Sequence, residues 1–488
     1  MRQPWLALSL LVLSLSTASA DLPTWVPGQV CCVLKPGADI DEVNARWGTI
    51  TVDGVPSENL YLLYVASVED LRTFADELTG DPSVLLAEPN YCWQTPEAVR
   101  QMVVGAIGGT WDDFEYQEMA AKIGIATVHQ ITQGQGVTVA VLDTGLDPTH
   151  EAFAGRLSDY GYDAVNDDYG PWEEANGFDD DFDSVIDEGY GHGTMVAGLI
   201  ALVAPAVEIM PIRVLDDEGS GTLFSVARGL IFASAHDAQL VNMSFGSPTV
   251  SELIAHYLDL LNARSTLCLA GAGNRNLETP PYFPACDNHV LMITAVDTMD
   301  VKADFADFTP HVRLSAPGVG IRSAYPEDEW AIGYGCSFAT PLATGGAALV
   351  LSQCPGMAPG QIIDALLAAV LPIDDIPGNE MYRWKLGTGR IFLPMLFGIP
   401  VSGVEQEVAS RLELQAFPNP TRGTVFFRMS ETALDLSIYD ATGRRIRALR
   451  SPMWNGRDDA GRRVSPGIYW VRGRGRAGVQ DAPILMLK

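Results

Sequence analysis

Three residues of complementary chemistry stand at the boundaries of apolar segments. Asp143 directly follows the apolar run 137–142, His192 opens an apolar stretch, and Ser337 lies just before the apolar run 342–351. An imidazole held by a carboxylate can take the proton of a hydroxyl, which then acts as a nucleophile. Taken singly, each residue has a plainer interpretation: Ser337 as a helix N-cap, Asp143 as a turn cap and His192 as a surface histidine.

The segments that carry these residues alternate between short apolar runs and longer helical patterns. Apolar runs of this length are typical of strands buried on both faces, and they occur at 137–142, 207–215, 239–244, 265–270 and 289–296. Helical patterns lie between them at 193–203, 223–236 and 251–264. This order predicts an α/β fold with a doubly wound, mostly parallel sheet over 116–397. Chemistry in such folds lies beyond the carboxyl ends of the strands, where Asp143 stands.

Three blocks around these residues resemble the Asp, His and Ser motifs of the subtilase family of serine endopeptidases, in that family's chain order. The blocks are Asp143-Thr144-Gly145, Gly191-His192-Gly193-Thr194-Met195-Val196-Ala197-Gly198 and Gly333-Tyr334-Gly335-Cys336-Ser337-Phe338-Ala339-Thr340-Pro341. Further blocks agree in order, among them Asn242-Met243-Ser244-Phe245-Gly246 and Ala270-Gly271-Ala272-Gly273-Asn274. The resemblance implies a subtilisin-like fold and hydrolysis of peptide bonds through an acyl-enzyme intermediate.

The resemblance also implies a role for each residue. Ser337 would be the nucleophile, His192 the general base and then acid, and Asp143 the group that orients the imidazole. Asn274 would donate its side-chain amide to the developing oxyanion beside the Ser337 N–H. Two segments would form the walls of the P1 pocket, with an apolar character suggested by Phe245; they are Ser244, Phe245, Gly246 and Ala270, Gly271, Ala272.

The N-terminal region predicts export followed by processing. Residues 1–20 read as a signal peptide, with Arg2, an apolar run at 6–15 and Ala18-Ser19-Ala20 as a cleavage site. Residues 21–93 predict a small α+β unit, with helices at 39–47 and 67–78, that resembles the inhibitory pro-segments of secreted subtilases. Residues 94–115 lack clear periodicity and predict an exposed linker that contains the processing site.

The C-terminal region differs from the rest in charge. From Arg411 onward it carries 14 basic and 7 acidic residues, against 17 and 54 in the remainder. Residues 398–411 predict a linker, and 412–488 a β-sandwich of short strands broken by Gly and Pro. This unit resembles C-terminal sorting domains of type IX secretion cargo and also the Ig-like domains of flagellar hook-assembly proteins. It predicts contact with secretion machinery, against the alternative of a plain accessory domain.

Composition and one acidic loop complete the prediction. The net charge of −30 argues against nucleic acid as a partner. The chemistry requires no cofactor, but Asp179, Asp181, Asp183 and Asp187 are spaced like the first ligands of an EF-hand loop and predict a structural Ca²⁺. The loop departs from that motif where Tyr190 replaces the bidentate glutamate. The alternative is a solvated acidic loop.

Together these features predict a secreted, self-processing serine endopeptidase that acts on proteins and peptides. Its own pro-domain would inhibit it until cleavage, and the mature enzyme would be extracellular or held at a bacterial cell surface. The rival interpretation is a catalytically inactive surface-binding protein on a protease fold. Both interpretations use the same fold, so they differ only in whether Asp143, His192 and Ser337 meet productively.

Overall fold

The computed structural model describes most of the chain. It covers residues 25–66, 68–96, 103–104, 108–179, 185–399, 414–417, 419, 421, 423–429, 435–440, 444–449, 451–475 and 478–487. The predicted signal peptide, most of the predicted linker 398–411 and Asp181 and Asp183 lie outside these residues. Among the described residues, no helix combines the length and apolar character needed to cross a bilayer.

An N-terminal unit of four antiparallel strands and two helices comes first. Its elements are β1 (Trp25–Leu34), α1 (Ile40–Trp47), β2 (Ile50–Val55), β3 (Leu60–Tyr64), α2 (Leu71–Thr79) and β4 (Val84–Gln94). Asp39 is the N-cap of α1, and its side chain accepts the backbone N–H of Asp41. The second helix is shorter than predicted: it begins at Leu71, because Asp70 is itself the N-cap and accepts the N–H groups of Arg72 and Thr73.

The central region is built on a nine-stranded sheet, which confirms the predicted doubly wound architecture. Its strands are, in chain order, β6 (Thr138–Asp143), β7 (Tyr162–Asp163), β8 (Glu208–Arg213), β10 (Leu240–Met243), β11 (Leu267–Gly271), β12 (Val290–Val296), β13 (Leu314–Pro317), β16 (Val370–Leu371) and β17 (Arg390–Ile391). The spatial order is β16-β17-β13-β12-β11-β10-β6-β8-β7, and every pair is parallel except β16 with β17.

Helices pack on this sheet, and smaller strands complete the region. The helices are α3 (Trp111–Glu115), α4 (Glu118–Ile123), α5 (Ile125–Val128), α6 (His192–Val203), α7 (Leu223–Ala235), α8 (Glu252–Ala263), α9 (Cys336–Gln353) and α10 (Pro359–Ala368). The smaller strands are β5 (Val103–Val104), β9 (Ser220–Thr222), β14 (Ile321–Tyr325) and β15 (Glu329–Gly333). Helix α9 is buried along 16 consecutive residues, 336–351, so it forms the centre of the core.

The N-terminal unit is joined to the central region by strand pairing and by a shared core. Strand β4 pairs with β9, which makes a five-stranded sheet of order β2-β3-β1-β4-β9. The predicted exposed linker is therefore wrong at both of its ends. Thr95 is fully buried next to β4, where its N–H donates to the Gly219 carbonyl, and Phe114 is fully buried in α3 within the apolar core that contains the central sheet.

The described part of the tail consists of two small antiparallel sheets. Their strands are β18 (Leu414–Phe417), β19 (Val425–Met429), β20 (Asp435–Asp440), β21 (Arg445–Leu449), β22 (Met453–Trp454), β23 (Gly467–Gly475) and β24 (Gly478–Met486). One sheet has the order β18-β19-β22 and the other β21-β20-β23-β24. Buried side chains from both sheets, between Leu414 and Met486, form a core of their own.

Candidate active site

The carboxyl edge of the central sheet brings Asp143 and His192 into direct contact. Asp143 is the last residue of β6 and His192 the first residue of α6. Asp143 Oδ1 lies 2.6 Å from His192 Nδ1, and both side chains are almost fully buried. The turn into α6 needs Gly191, which has a φ of 88° and on which a Cβ would lie 2.1 Å from the Tyr325 ring.

Ser337 lies in the first turn of α9 at the same edge. Its Oγ donates to the Ser244 carbonyl at 3.0 Å, and the Ser244 hydroxyl donates back to the Ser337 carbonyl at 2.9 Å. The ring of the next residue, Phe338, packs against the His192 imidazole with 5.6 Å between ring centroids. The start of α9 is thus fixed against both the Asp143–His192 pair and the segment that follows β10.

Asn274 is held beside the same helix start. It follows β11, is buried, and its Oδ1 accepts the backbone N–H of Cys336 at 2.9 Å. This bond fixes the amide plane and leaves the Nδ2 donor at the opposite end of the side chain. Gly271 lies against the same turn, since a Cβ there would approach the Cys336 carbonyl to 3.4 Å. The buried Ala270 and Ala272 flank it on either side.

A stretch of the chain itself occupies the cleft next to these residues. Residues Cys92 to Gln94 pair antiparallel with β9, and Gln94 exchanges two hydrogen bonds with Gly246, of 3.3 and 3.1 Å. Thr95 then donates its N–H to the Gly219 carbonyl at 2.9 Å. The stretch therefore lies as an inserted strand between β9 and the Ser244-Phe245-Gly246 segment, in the manner of an extended peptide bound by strand addition.

The apolar pocket suggested by Phe245 is filled by Trp93. Trp93 is 1% exposed and makes edge-to-face contacts with Phe245 and Phe283, with ring centroids 6.0 and 5.8 Å apart. Phe245 thus contacts the inserted strand at Trp93. The residue of that strand that lies opposite Ser244 is a different one, Pro96. A separate cavity of about 330 Å³ lies beside Pro96, lined in part by Asn274 and Tyr282.

The four acidic residues predicted to bind Ca²⁺ are described only in part. Asp179 and Asp187 are described, but Asp181 and Asp183 are not. Asp187 accepts backbone N–H groups of Asn176 and Gly177 at 3.0 to 3.3 Å. Within the described residues, no group of three or more His, Cys, Asp or Glu side chains is arranged to hold a metal ion. All seven cysteines lie in the part of the chain that the structure describes, and none of them forms a disulfide there.

Two residues near this edge were not predicted from the sequence. Trp93 ends the predicted N-terminal unit, 21–93, without an expected contact, and Glu173 belongs to none of the motifs. Trp93 itself is a usable signal, because tryptophan side chains are on average highly buried. Glu173 had no such signal, since its partners come from other segments of the chain.

Comparison with known proteins identifies the family of the chain. A model of the Subtilase family matches residues 134–387. The chain belongs to this family. Thermitase from Thermoactinomyces vulgaris is 31% identical, over 54% of this chain and 91% of that protein. An extracellular serine proteinase from Thermus sp. (strain Rt41A) is 30% identical, over 75% and 94% respectively.

A solved structure described as a cold adapted subtilisin-like serine proteinase is 30% identical, over 51% of this chain and 88% of that one, with a TM-score of 0.44. As a member of the subtilase family, the chain is a serine endopeptidase, so the predicted hydrolase class is confirmed. Membership of a protease family also implies protein substrates.

Proposed function

We propose that this subtilase is a secreted, self-processing endopeptidase whose chemistry is carried out by Asp143, His192 and Ser337. The observation that carries the proposal is the buried 2.6 Å contact between Asp143 and His192 at the sheet edge where α9 presents Ser337. The extracellular relative supports secretion. The inactive surface-binding alternative is not favoured, because a catalytically idle protein has no need for a buried carboxylate–imidazole pair.

The mechanism follows from the positions of these groups. His192 takes the Ser337 proton as Oγ attacks the substrate carbonyl, and later donates a proton to the leaving amine. Asp143 holds Nδ1 of the ring and stabilises the imidazolium that forms. The oxyanion of the tetrahedral intermediate is stabilised by the Ser337 N–H at the start of α9 and by Nδ2 of Asn274. Water then repeats the attack on the acyl-enzyme.

The N-terminal unit acts as the inhibitor in this proposal, and the strand register supports one peptide bond as the bond that is cut. Gln94 lies opposite Gly246, so antiparallel pairing sets Pro96 opposite Ser244. Ser244 is the residue whose carbonyl accepts the Ser337 hydroxyl. The scissile carbonyl is therefore that of Pro96, and processing cleaves the bond that follows it. The proposed cleavage after Pro96 narrows the predicted processing region, 94–115, to a single peptide bond.

Contacts away from the cleft hold the N-terminal unit in place. Glu88 accepts the N–H groups of Glu252 and Leu253 and the Ser251 hydroxyl at the start of α8, at 2.6 to 3.2 Å. Asn90 accepts the N–H of Phe224 at the start of α7, at 3.0 Å. Both helices thus present their N-terminal N–H groups to the same strand, which favours acceptors at those positions.

We also propose the domain boundaries 21–93 for the inhibitory unit and 116–397 for the peptidase.

The test uses the full chain and its Ser337→Ala variant. Wild type is expected to label with a fluorophosphonate probe and to show a new N-terminus directly after Pro96. The variant is expected to remain uncleaved and unlabelled; subtilisin without its serine loses on the order of 10⁶-fold in kcat, and we expect a loss of that scale. A Ser337→Ala chain that still matures when expressed alone would rule out self-processing, and an unlabelled wild type would restore the binding-protein alternative.

The tail is assigned to sorting in this proposal. The assignment rests on the resemblance to sorting domains and on the tail's basic character within an acidic chain. A tail with its own core can be recognised by secretion machinery without disturbing the peptidase. Residues 412–488 then form a unit separate in function from 116–397, joined through 398–411.

Structural Ca²⁺ in the acidic loop 179–187 is likewise our proposal. A loop this rich in aspartate gains stability from a cation, because close carboxylates repel one another. Removing Ca²⁺ with a chelator is expected to lower the unfolding temperature of the peptidase, and adding Ca²⁺ back is expected to restore it. An unchanged unfolding temperature would instead support the alternative interpretation, a solvated acidic loop without bound Ca²⁺.

A further inference from the structure

Glu173 lies beside the Asp143–His192 pair and is held by the turn that follows β6. Leu146 donates its N–H to the Pro171 carbonyl, and Glu173 donates its N–H to the Leu146 carbonyl, both at 3.2 Å. These two hydrogen bonds hold the segment 171–173 alongside the residues that follow Asp143. The Glu173 side chain therefore starts from a fixed backbone position next to the catalytic edge of the sheet.

The carboxylate of Glu173 accepts hydrogen bonds from both segments that carry the pair. Oε1 accepts the hydroxyl of Thr144, the residue after Asp143, and the backbone N–H groups of Gly191 and Gly193 at 3.1 Å each. Oε2 accepts the hydroxyl of Thr194. The two glycines flank His192 on either side, so one carboxylate binds the backbone immediately before and after the imidazole-bearing residue.

We propose that Glu173 is a positioning residue for the catalytic histidine. Its carboxylate ties the turn after β6 to the first turn of α6 and so fixes the orientation of the His192 ring toward Asp143. The proposal rests on the proposed function of Asp143, His192 and Ser337. Glu173 itself does not contact the substrate in this role. It acts by holding the backbone from which His192 projects.

The electrostatics of the site add a consequence that a purely structural contact would lack. Burial, with a smaller contribution from the Asp143 charge, raises the pKa of Glu173 to about 7, against hydrogen bonds from Thr144 and Thr194 and attraction to His192. The other titratable groups facing it are Tyr190 beside α6 and Tyr325 on β14. Burial raises the pKa of each to about 12, so both stay neutral at working pH.

The attraction between Glu173 and His192 acts in both directions. A negative charge on Glu173 favours the protonated imidazole, which cannot act as the base. Near pH 7, where part of the Glu173 population is ionised, replacing Glu173 by a neutral isostere removes this charge, so the imidazole loses its proton at a lower pH. The acid limb of the profile of kcat/KM against pH is then expected to move to lower pH, while misalignment of the ring lowers the plateau.

The experiment compares matured Glu173→Gln with wild type and with Glu174→Gln, which removes the same charge from the adjacent exposed residue. Rates are expressed per site titrated with a fluorophosphonate. We expect Glu173→Gln to lower kcat by about 10- to 100-fold, the scale of a small misplacement of a catalytic group, with KM nearly unchanged. Its acid limb should move to lower pH, and Glu174→Gln should match wild type in both respects.

Two results would overturn the proposal: wild-type kcat per titrated site in Glu173→Gln, or a reduced kcat with an unmoved acid limb. If Glu173→Gln yields no titratable enzyme, Glu173→Asp is used, which keeps the charge on a shorter side chain. It should keep the wild-type acid limb with a lower kcat, and a shifted limb would contradict the proposal. Failure of the proposed function is recognised separately, as activity that survives Ser337→Ala.

Discussion

The two β-rich units at the ends of the chain bury tryptophans equally well but with different consequences. Trp93 and Trp454 are each 1% exposed. Trp93 belongs to the apolar core that contains the central sheet and α9, whereas Trp454 belongs to the core between Leu414 and Met486. The N-terminal unit thus contributes to the stability of the peptidase, while the tail stabilises itself. This contrast agrees with the roles we propose, because an inhibitor must engage its enzyme, whereas a sorting unit needs only to remain attached.

The largest expected effect comes from removing each tryptophan in the uncleaved Ser337→Ala chain. Trp93→Ala leaves a cavity among Phe245, Phe283 and the cleft, and is expected to lower the free energy of unfolding of the peptidase unit by about 3–5 kcal/mol. Trp454→Ala is the matched control and should affect only the tail transition. Differential scanning calorimetry separates the two transitions.

The comparison fails if Trp454→Ala lowers the peptidase transition as much as Trp93→Ala does. That result would mean that the tail is coupled to the peptidase despite its separate core. It would also argue against a tail that can be recognised by secretion machinery without disturbing the enzyme. A peptidase transition unchanged by Trp93→Ala would instead mean that the inserted strand is held mainly by backbone pairing.

A smaller effect is expected from Glu88, the acceptor at the start of α8. Glu88→Ala leaves two backbone N–H groups and the Ser251 hydroxyl without this acceptor, which should cost about 1–3 kcal/mol. We expect faster release of the N-terminal unit after processing, measured as a shorter lag before full activity. Glu77→Ala changes an exposed glutamate of the same unit and should leave the lag unchanged.

The release should also depend on pH through Glu88. Burial raises the pKa of Glu88 in the bound unit, against the hydrogen bonds from Ser251, Glu252 and Leu253. The bound state therefore takes up a proton between the ordinary pKa and the raised one, and binding weakens as pH rises through that window. Release should be slower at the acidic end of this window and faster above it. Glu88→Ala should remove this pH dependence of release. If the pH dependence persists in the variant, another titratable group causes it.

The sequence predicted the central sheet well and marked Asp143, His192 and Ser337 as candidate catalytic residues, because the strands and the motifs depend on local signals. Strands buried on both faces appear as short apolar runs, and Asp143, His192 and Ser337 sit in compact motifs with glycines that the turns require. The insertion of residues 92–96 in the cleft could not be predicted in the same way. Its partners lie more than 120 residues away, at Ser220–Thr222 and Gly246.

Glu173 shows the same limit more clearly. Nothing in Pro171-Trp172-Glu173-Glu174 distinguishes the glutamate that accepts four hydrogen bonds from the exposed one beside it. The two glutamates differ only in the folded protein, where the turn after β6 and the start of α6 both donate hydrogen bonds to Glu173 and Glu174 stays exposed. Side chains whose role is set by tertiary convergence leave no periodicity in the sequence.

The smallest expected effect distinguishes the two tryptophans by their indole N–H groups. The Trp454 Nε1–H donates to the Arg457 carbonyl at 2.8 Å, whereas the Trp93 N–H has no acceptor among the described residues. Replacing each by phenylalanine keeps an aromatic ring in the core but removes the donor. Trp454→Phe therefore loses a hydrogen bond of about 1 kcal/mol in addition to packing, while Trp93→Phe loses packing alone.

In calorimetry of the Ser337→Ala chain, Trp454→Phe should lower the tail transition by more than Trp93→Phe lowers the peptidase transition. The tryptophan of the tail, which lies outside the candidate active site, is thus expected to show the larger loss of the two. This order follows from the kind of burial: among the described residues, Trp93 is buried without an acceptor for its indole N–H, whereas Trp454 is buried together with one. A larger loss for Trp93→Phe would show that its N–H is bonded in solution and that the pocket selects for tryptophan.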